Sequence, residues 1–533
     1  MSIHRKRSDP ENVQASPRIV IIGSGMSGML MAIRLLNAGH RNFILCEKRA
    51  EVGGVWRDNT YPGLKCDIPA LMYSYSFERN AEYSNRFATG QEIRQYLKHV
   101  AEKHGLEAFT RFNHSIVEAS FREGRWVLIT QDQQMIKADI VVWAGGVLHN
   151  PSVPVFPGAD TFQGESFHSS QWPKDLCLKG KRVGIIGSGS TSVQIVSAIS
   201  EEVGSLTVFQ RTPHWIFPLF NRRYSEREKQ WIAKSSRYAL LIRWAYVMLF
   251  QWTFARAVTG NRLLQRLIQW QCEFFLRRKV KNPILRKKLR PDFKAGCKRL
   301  VLARGFYEAI QRKNATLCCD AIRRIDVGGV VTNDGVKHEL DILVYATGFQ
   351  AHQFMRPMKM YGQGGASLDS LWTDGPFAHR SVALPGMPNF FMLIGPQSPT
   401  GNFSAISVAE VQADYVMKLI DEIASRRHDF VEPKSEVCEA LTAKINVAMK
   451  RTVWMSGCQS WYIDDKGKTS MWPWTFERFK SDMRTPDWSE FRLSTRSTVP
   501  APPVADDVKV EFQRFAKVRK IKAARPECRV VKP

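Results

Sequence analysis

Two short stretches carry the strongest chemical signal in the chain. Gly23-Ser-Gly25-Met-Ser-Gly28 follows an apolar run, Arg18 to Ile22, and opens a pattern with Met29, Ala32, Ile33 and Leu36 at helical spacing. Gly187-Ser188-Gly189-Ser190-Thr191-Ser192 follows Lys181 to Ile186 and opens Val193, Ile195, Val196 and Ile199. Both read as strand, glycine loop, helix. Glycines there allow a tight turn and let backbone N–H groups approach a pyrophosphate at the helix N-terminus. Each unit continues into a second strand, Phe43 to Cys46 or Leu206 to Phe209, and meets a charged residue 24 positions after its first glycine. That residue is Glu47 in one unit and Arg211 in the other. A carboxylate accepts hydrogen bonds from ribose hydroxyls and repels a 2′-phosphate, whereas a guanidinium pairs with that phosphate through two bonds. The first site is therefore expected to take FAD or NAD and the second NADPH. Ser192 stands where the last glycine usually does, which predicts slightly looser helix–strand packing.

Two such sites imply a flavoprotein reduced by NADPH, whose electrons need an acceptor. A disulfide reductase would need a redox-active cysteine pair beside the flavin. The ten cysteines are scattered without a Cys-x-x-Cys, and the neighbours Cys318 and Cys319 lie in an unrelated stretch. Neither a zinc site nor a disulfide framework is indicated, and a reducing cytosol is the simplest location. Molecular oxygen is the remaining common acceptor.

Three further stretches sharpen this. Gly53-Gly54-Val55-Trp56-Arg-Asp-Asn-Thr-Tyr61-Pro62-Gly63-Leu-Lys-Cys-Asp67 is too rich in turn formers for a helix and reads as a loop. Taken alone, Trp56 and Tyr61 read as packing residues and Asp67 as a cap before Pro69. Phe162-Gln-Gly164-Glu-Ser-Phe-His168-Ser-Ser-Gln-Trp172-Pro173 falls between the two glycine loops, and Lys298-Arg299 ends a basic segment. Taken together, these motifs resemble those of the type I Baeyer–Villiger monooxygenases. The family fingerprint matches at Phe162, Gly164, His168, Trp172 and Pro173, its second signature matches the Gly53 to Asp67 loop, and the resemblance covers roughly residues 18 to 480.

The resemblance implies an α/β fold with two Rossmann-like dinucleotide-binding domains, for FAD and NADPH, and a helical insert. It implies insertion of one oxygen atom from O2 beside a ketone carbonyl, via an FAD peroxide, to give an ester or lactone, with sulfoxidation as a side activity. Arg299 would lie over the flavin and stabilise the negative oxidant, Asp67 would pair with Arg299, and Lys298 would help hold the 2′-phosphate. Cofactor contacts are expected from Gly23, Gly25, Gly28, Glu47, Lys48, Gly54, Val55, Trp56, Tyr61, Asp67, Gly187, Ser188, Gly189, Ser190, Thr191, Ser192, Gln194, Arg211, Thr212 and Lys298. His168 and Trp172 are tempting catalysts, but their position favours a linker that governs domain movement. The alternatives are a flavin-containing monooxygenase acting on S or N heteroatoms and a membrane-peripheral NADPH-dependent electron-transfer protein.

In domain terms the reading is a flexible N-terminus (1–17), an FAD-binding domain in two parts (18–150 and 342–497) and an NADPH-binding domain in two parts (151–221 and 297–341). A helical insert (222–296) and a flexible basic tail (498–533) complete it. Met1 to Pro17 is polar and basic, so it reads as neither a signal peptide nor an anchor. The net charge of +27 is concentrated: residues 222–299 hold 21 Lys/Arg against 4 Asp/Glu, which is +17. No nucleic-acid module accompanies it, so a nucleic-acid partner is not expected. Within the insert, Ala239 to Val258 is almost wholly apolar and aromatic, interrupted by Arg243 and Gln251. A buried or cavity-lining helix is the first expectation, membrane-surface contact the second and spanning the last. The location is accordingly cytoplasmic, with membrane association as the variant; oligomeric state is not legible.

Overall fold

The computed structural model describes residues 16–464 and 466–495. Of the ends expected to be flexible, residues 1–15 and 498–533 lie outside the described residues. Ten strands build two sheets: β1 (Ile19–Ile22), β2 (Phe43–Cys46), β3 (Thr110–Arg111), β4 (Ile140–Trp143), β5 (Glu165–His168), β6 (Arg182–Ile186), β7 (Ser205–Phe209), β8 (Ala315–Cys318), β9 (Ile342–Tyr345) and β10 (Phe390–Met392). The first sheet is 5-stranded and parallel in the order β10-β4-β1-β2-β3. The second is also 5-stranded and parallel, in the order β8-β7-β6-β9-β5. Their central strands are unbroken apolar runs, and Ile19, Val20, Ile21, Val141, Ile185 and Val344 are fully buried. Strands covered on both faces need no polar alternation, which is why the short apolar runs were readable.

Each glycine loop joins its first strand to a helix: β1 to α1 (Met26–Asn37), and β6 to α2 (Ser190–Ile199). A side chain at Gly28 would put its Cβ 1.9 Å from the Gly23 carbonyl oxygen, so only glycine lets α1 pack this close to β1. Ser192 occupies the matching place in the second unit; it is fully buried and its Oγ finds no hydrogen-bond partner.

Two readings need correction. Ile342–Tyr345, expected to return the chain to the first domain, pairs instead with β6 and β5 inside the second sheet. The stretch Phe162 to Pro173, expected as a linker, supplies the edge strand β5. A Cβ at Gly164 would meet the Asp341 carbonyl oxygen at 2.4 Å, so the glycine lets this strand approach the start of β9. His168 is buried, takes the Ser170 N–H on Nδ1 at 3.2 Å and donates from Nε2 to the Gly348 carbonyl at 3.0 Å. It thereby ties the edge strand to the turn that leaves β9.

The insert folds as four helices of more than one turn: α3 (Glu226–Lys234), α4 (Ser236–Phe250), α5 (Arg262–Lys279) and α6 (Pro283–Leu289). α4 runs on through a π-helical turn, Gln251–Ala255, and a short α-helix, Arg256–Val258. Arg243, which breaks the apolar run, faces inward. It donates to the carbonyls of Leu71 and Ser74 at 3.0 and 2.6 Å and pairs with Glu410 at 3.2 Å on helix α7 (Ala405–Ala424). That anchoring sets which face of α4 is inside. Among the described residues no helix is long and apolar enough to cross a membrane.

The two sheets meet through the Gly53 to Asp67 stretch, in which Val55–Asp58 form one helical turn where only loop was expected. Tyr61 donates to Gln194 Oε1 at 3.1 Å, and Gln194 Nε2 donates back to the Lys65 carbonyl at 3.0 Å. Gly63 lies against the same turn of α2, with φ +81° and room for no side chain: a Cβ would stand 2.5 Å from the Gln194 carbonyl oxygen. Gly63→Ala is therefore expected to lower stability by about 1–3 kcal/mol through strain and a forced separation of loop and helix. Thermal unfolding with and without NADP⁺ checks this, and an unchanged midpoint in both would contradict it.

Candidate active site

A cavity of about 1770 Å³ lies between the two sheets. A single small-ligand pocket holds roughly 300–1,000 Å³, so this volume suits more than one ligand. Every residue expected to be catalytic or to touch a cofactor lines it except Gly28, which is spent on helix–strand contact, and Ser192, which is buried. None of the five fingerprint residues reaches it, and among the described residues none from 222 to 297 does so. For Ala239 to Val258, expected as a buried or cavity-lining helix, the residues do not line the cavity, while the inner face is buried. Arg243 turns the helix's inner face onto the core around the first sheet, where Tyr238, Ile242, Tyr246 and Val247 pack.

At the first glycine loop, Glu47 is 4% exposed. Its Oε2 accepts the Ser24 N–H and hydroxyl, both at 2.9 Å, and its Oε1 accepts the Arg49 N–H at 3.0 Å. Glu47 therefore shapes the loop as well as facing the cavity. Arg57 adds an ion pair at 3.3 Å. Gly54, with φ +55°, would carry a Cβ only 3.0 Å from the Gly25 Cα, so the second loop presses against the first. The chain here is a cradle of close backbone with one buried carboxylate, and an adenosine dinucleotide without a 2′-phosphate, such as FAD, fits it.

The second loop faces the opposite charge. Arg211 is exposed, Lys298 is half-buried, and both line the cavity. Burial and then the nearby Arg211 hold the Lys298 ammonium below its ordinary value. His214 lies in the same corner: burial and then Lys298 push it down to about 4, against the pull of the Thr212 carbonyl, so it is neutral at pH 7. Its Nδ1 lies 3.2 Å from Ser188 Oγ, which donates to the Thr212 carbonyl at 2.5 Å. Cations that repel one another in the free protein make a site for an added anion, and a 2′-phosphate fits it.

Arg299 and Asp67 stand between these two ends. Arg299 donates from Nε to Asp67 Oδ2 at 2.6 Å and from Nη2 to Oδ1 at 2.9 Å, while Nη1 points to the Thr400 carbonyl at 3.3 Å. Burial works against the charge on Arg299, but the Asp67 carboxylate outweighs it and holds the guanidinium above its ordinary pKa. The arginine is a permanent cation inside the cavity.

Sequence reasoning missed some of this. His214 follows a proline and belongs to no spacing pattern. A disulfide joins Cys297 to Cys458, across a sequence separation of 161, against the expectation of none. It ties the residue before Lys298 to a loop whose Cys458, Gln459, Ser460 and Trp461 line the cavity. Only the fold brings these cysteines together.

Comparison with known proteins agrees with this geometry. The flavin-binding monooxygenase-like family model matches residues 16–360. An uncharacterized monooxygenase of Mycobacterium tuberculosis is 42% identical over 485 residues, 91% of this chain and 98% of its own length. A Baeyer–Villiger monooxygenase of Pseudomonas aeruginosa is 35% identical over 488 residues, 90% of this chain and 92% of its own. The crystal structure of OTEMO in complex with FAD and NADP superposes with a TM-score of 0.82 at 25% identity, covering 90% of this chain and 100% of that one.

The charge pattern predicts a cofactor preference that one substitution should reduce. A charged hydrogen bond contributes about 1.5–3 kcal/mol, so Arg211→Ala should raise the KM for NADPH about 10- to 100-fold and leave that for NADH nearly unchanged. Steady-state kinetics with both cofactors checks it; an equal loss for the two would contradict it.

Proposed function

The chain belongs to the flavin-binding monooxygenase-like family, and from that premise we propose how its residues run the reaction of an NADPH-dependent, FAD-containing Baeyer–Villiger monooxygenase. The substrates are a ketone and O2. One oxygen atom enters beside the carbonyl carbon, giving an ester or lactone, and the other leaves as water with the electrons of NADPH. The observation that carries the reading is the Arg299 guanidinium, gripped by Asp67 at two atoms and facing the cavity that both glycine loops share.

Bound FAD, reduced by NADPH, supplies the oxygen-activating chemistry. The chain supplies charge and position. Arg299 stabilises negative charge on the reacting oxygens, and a guanidinium already fixed by Asp67 need not reorient as that charge develops. Asp67 is the positioning partner, and its carboxylate offsets the burial that disfavours the arginine's charge. Gly23, Gly25, Glu47 and Gly54 hold FAD, and Arg211, Lys298, Ser188 and His214 hold the phosphate end of NADPH. A lasting cation beside the reacting oxygen favours an anionic oxidant, which suits attack on a ketone carbonyl better than attack by a sulfide or amine. Sulfoxidation is accordingly a slower side reaction.

The FAD-binding domain comprises residues 18–150 and 346–495, the NADPH-binding domain 151–221 and 297–345, and the insert 222–296. Action in the cytoplasm is part of the same reading.

A ketone panel assayed for NADPH oxidation, with product mass measured, tests the reaction; NADPH consumption without organic product would favour an electron-transfer protein instead. Arg299→Ala should lower ester formation by about 10²–10³ while NADPH still bleaches the flavin, because the lost group acts on the oxygen chemistry rather than on reduction. Retained ester formation would remove Arg299 from its role. His168→Ala should slow turnover and release more hydrogen peroxide per NADPH without changing the product, as measured by the ratio of ester to NADPH consumed. A change of product would make His168 part of the chemistry.

A further inference from the structure

The outer face of the insert is unlike the rest of the surface. α4 and its continuation to Val258 turn at Gly260, φ +127°, into α5. The inner faces of the pair are spent: Ala239, Ala255 and Val258 from the first arm and Cys272, Phe275 and Leu276 from the second are buried. The outer faces carry Leu240, Leu241, Trp244, Leu249 and Trp252, each 49–59% exposed, and Leu263, Leu267, Trp270 and Phe274, each 51–77% exposed. On α5 the positions 263, 267, 270 and 274 repeat every three or four residues and form one stripe along the helix. All exposed tryptophans among the described residues (231, 244, 252 and 270) lie in the insert. A row of exposed arginines, Arg262, Arg266, Arg277 and Arg278, runs beside the α5 stripe, and Arg237 starts the α4 face.

The charge decides what can cover this surface. Between Glu228 and Glu273 there is no acidic residue, and Glu273 is itself within 3.7 Å of Arg277 and 3.3 Å of Arg290. A two-fold contact would set the same basic patch of two copies against each other, which like charges oppose. Tryptophan and leucine with flanking arginine is instead the composition of a helix lying in a lipid headgroup layer, indole at the polar boundary and guanidinium on phosphate. Arg243 is no obstacle, because it points inward to Glu410.

We propose that the α4–α5 hairpin is a docking surface for the anionic face of a phospholipid bilayer. Its leucine and tryptophan side chains enter the headgroup layer, and Arg262, Arg266, Arg277 and Arg278 meet the lipid phosphates. The inference is independent of the reaction, since among the described residues none of 222–297 lines the cavity.

Sedimentation of the full-length, FAD-loaded enzyme with vesicles tests it. Vesicles of phosphatidylcholine with about a quarter phosphatidylglycerol should bring the enzyme down, vesicles of phosphatidylcholine alone should bind it about tenfold or more weakly, and added salt should weaken the anionic binding. Trp244→Glu with Trp270→Glu should abolish sedimentation, while NADPH oxidation with a water-soluble ketone stays at the wild-type rate. Equal binding to neutral and anionic vesicles, no binding to either, or undiminished binding by the double variant would overturn the proposal. So would a dimer in light scattering that the double variant splits, because a second copy would then be the occupant.

Discussion

The structure depends on the ion pair between Asp67 and Arg299. Its partners are 232 residues apart and come from different halves of the site, the loop beside the first glycine turn and the segment that follows the insert. Bringing them within 2.6 Å requires the loop to be fixed, and Tyr61, Gly63 and Lys65 do this by packing and bonding to α2. Lys298 and Arg299 are chain neighbours in the bend that precedes the short strand Val301–Ala303, and their side chains part there. One dipeptide thus serves two ends of the cavity. Lys298 turns toward Arg211 and His214, while Arg299 turns to Asp67.

The two dinucleotide ends are distinguished by electrostatics more than by shape. Both are a strand, a glycine loop and a helix, and their backbones do the same work. At one end a buried carboxylate accepts hydrogen bonds from Ser24 of the glycine loop and from the Arg49 N–H. At the other, burial first and then a neighbouring cation hold Lys298 and His214 below their ordinary values. A phosphate group would be repelled from the first and would relieve repulsion in the second. In the proposed reaction the same logic assigns a permanent cation, Arg299, rather than a proton donor, to the reacting oxygens.

How much of this was legible follows from how local each feature is. The two strand–loop–helix units could be read because apolar run, glycines and terminal charge all lie within about the length of one βαβ unit. Asp67 and Arg299 could be named only through the family motifs; alone, one reads as a cap and the other as part of a basic run. Long-range features were invisible. The Cys297–Cys458 bond and the placing of His214 against Ser188 exist only once the chain is folded. The edge strand Glu165–His168 escaped notice because its burial pattern is mostly exposed and it lacks an apolar run. The insert misled for a different reason. Its stretch from Ala239 to Val258 is almost wholly apolar, but Arg243 fixes one face inward, and about half of the large apolar side chains that looked like core are surface.

The most direct test of the account is isotopic. The FAD-loaded enzyme is supplied with NADPH, a cyclic ketone and ¹⁸O2, and the organic product is weighed by mass spectrometry. The account predicts a lactone carrying one labelled oxygen for each NADPH consumed. NADPH consumption with unchanged ketone and labelled hydrogen peroxide as the only oxygen product would contradict it.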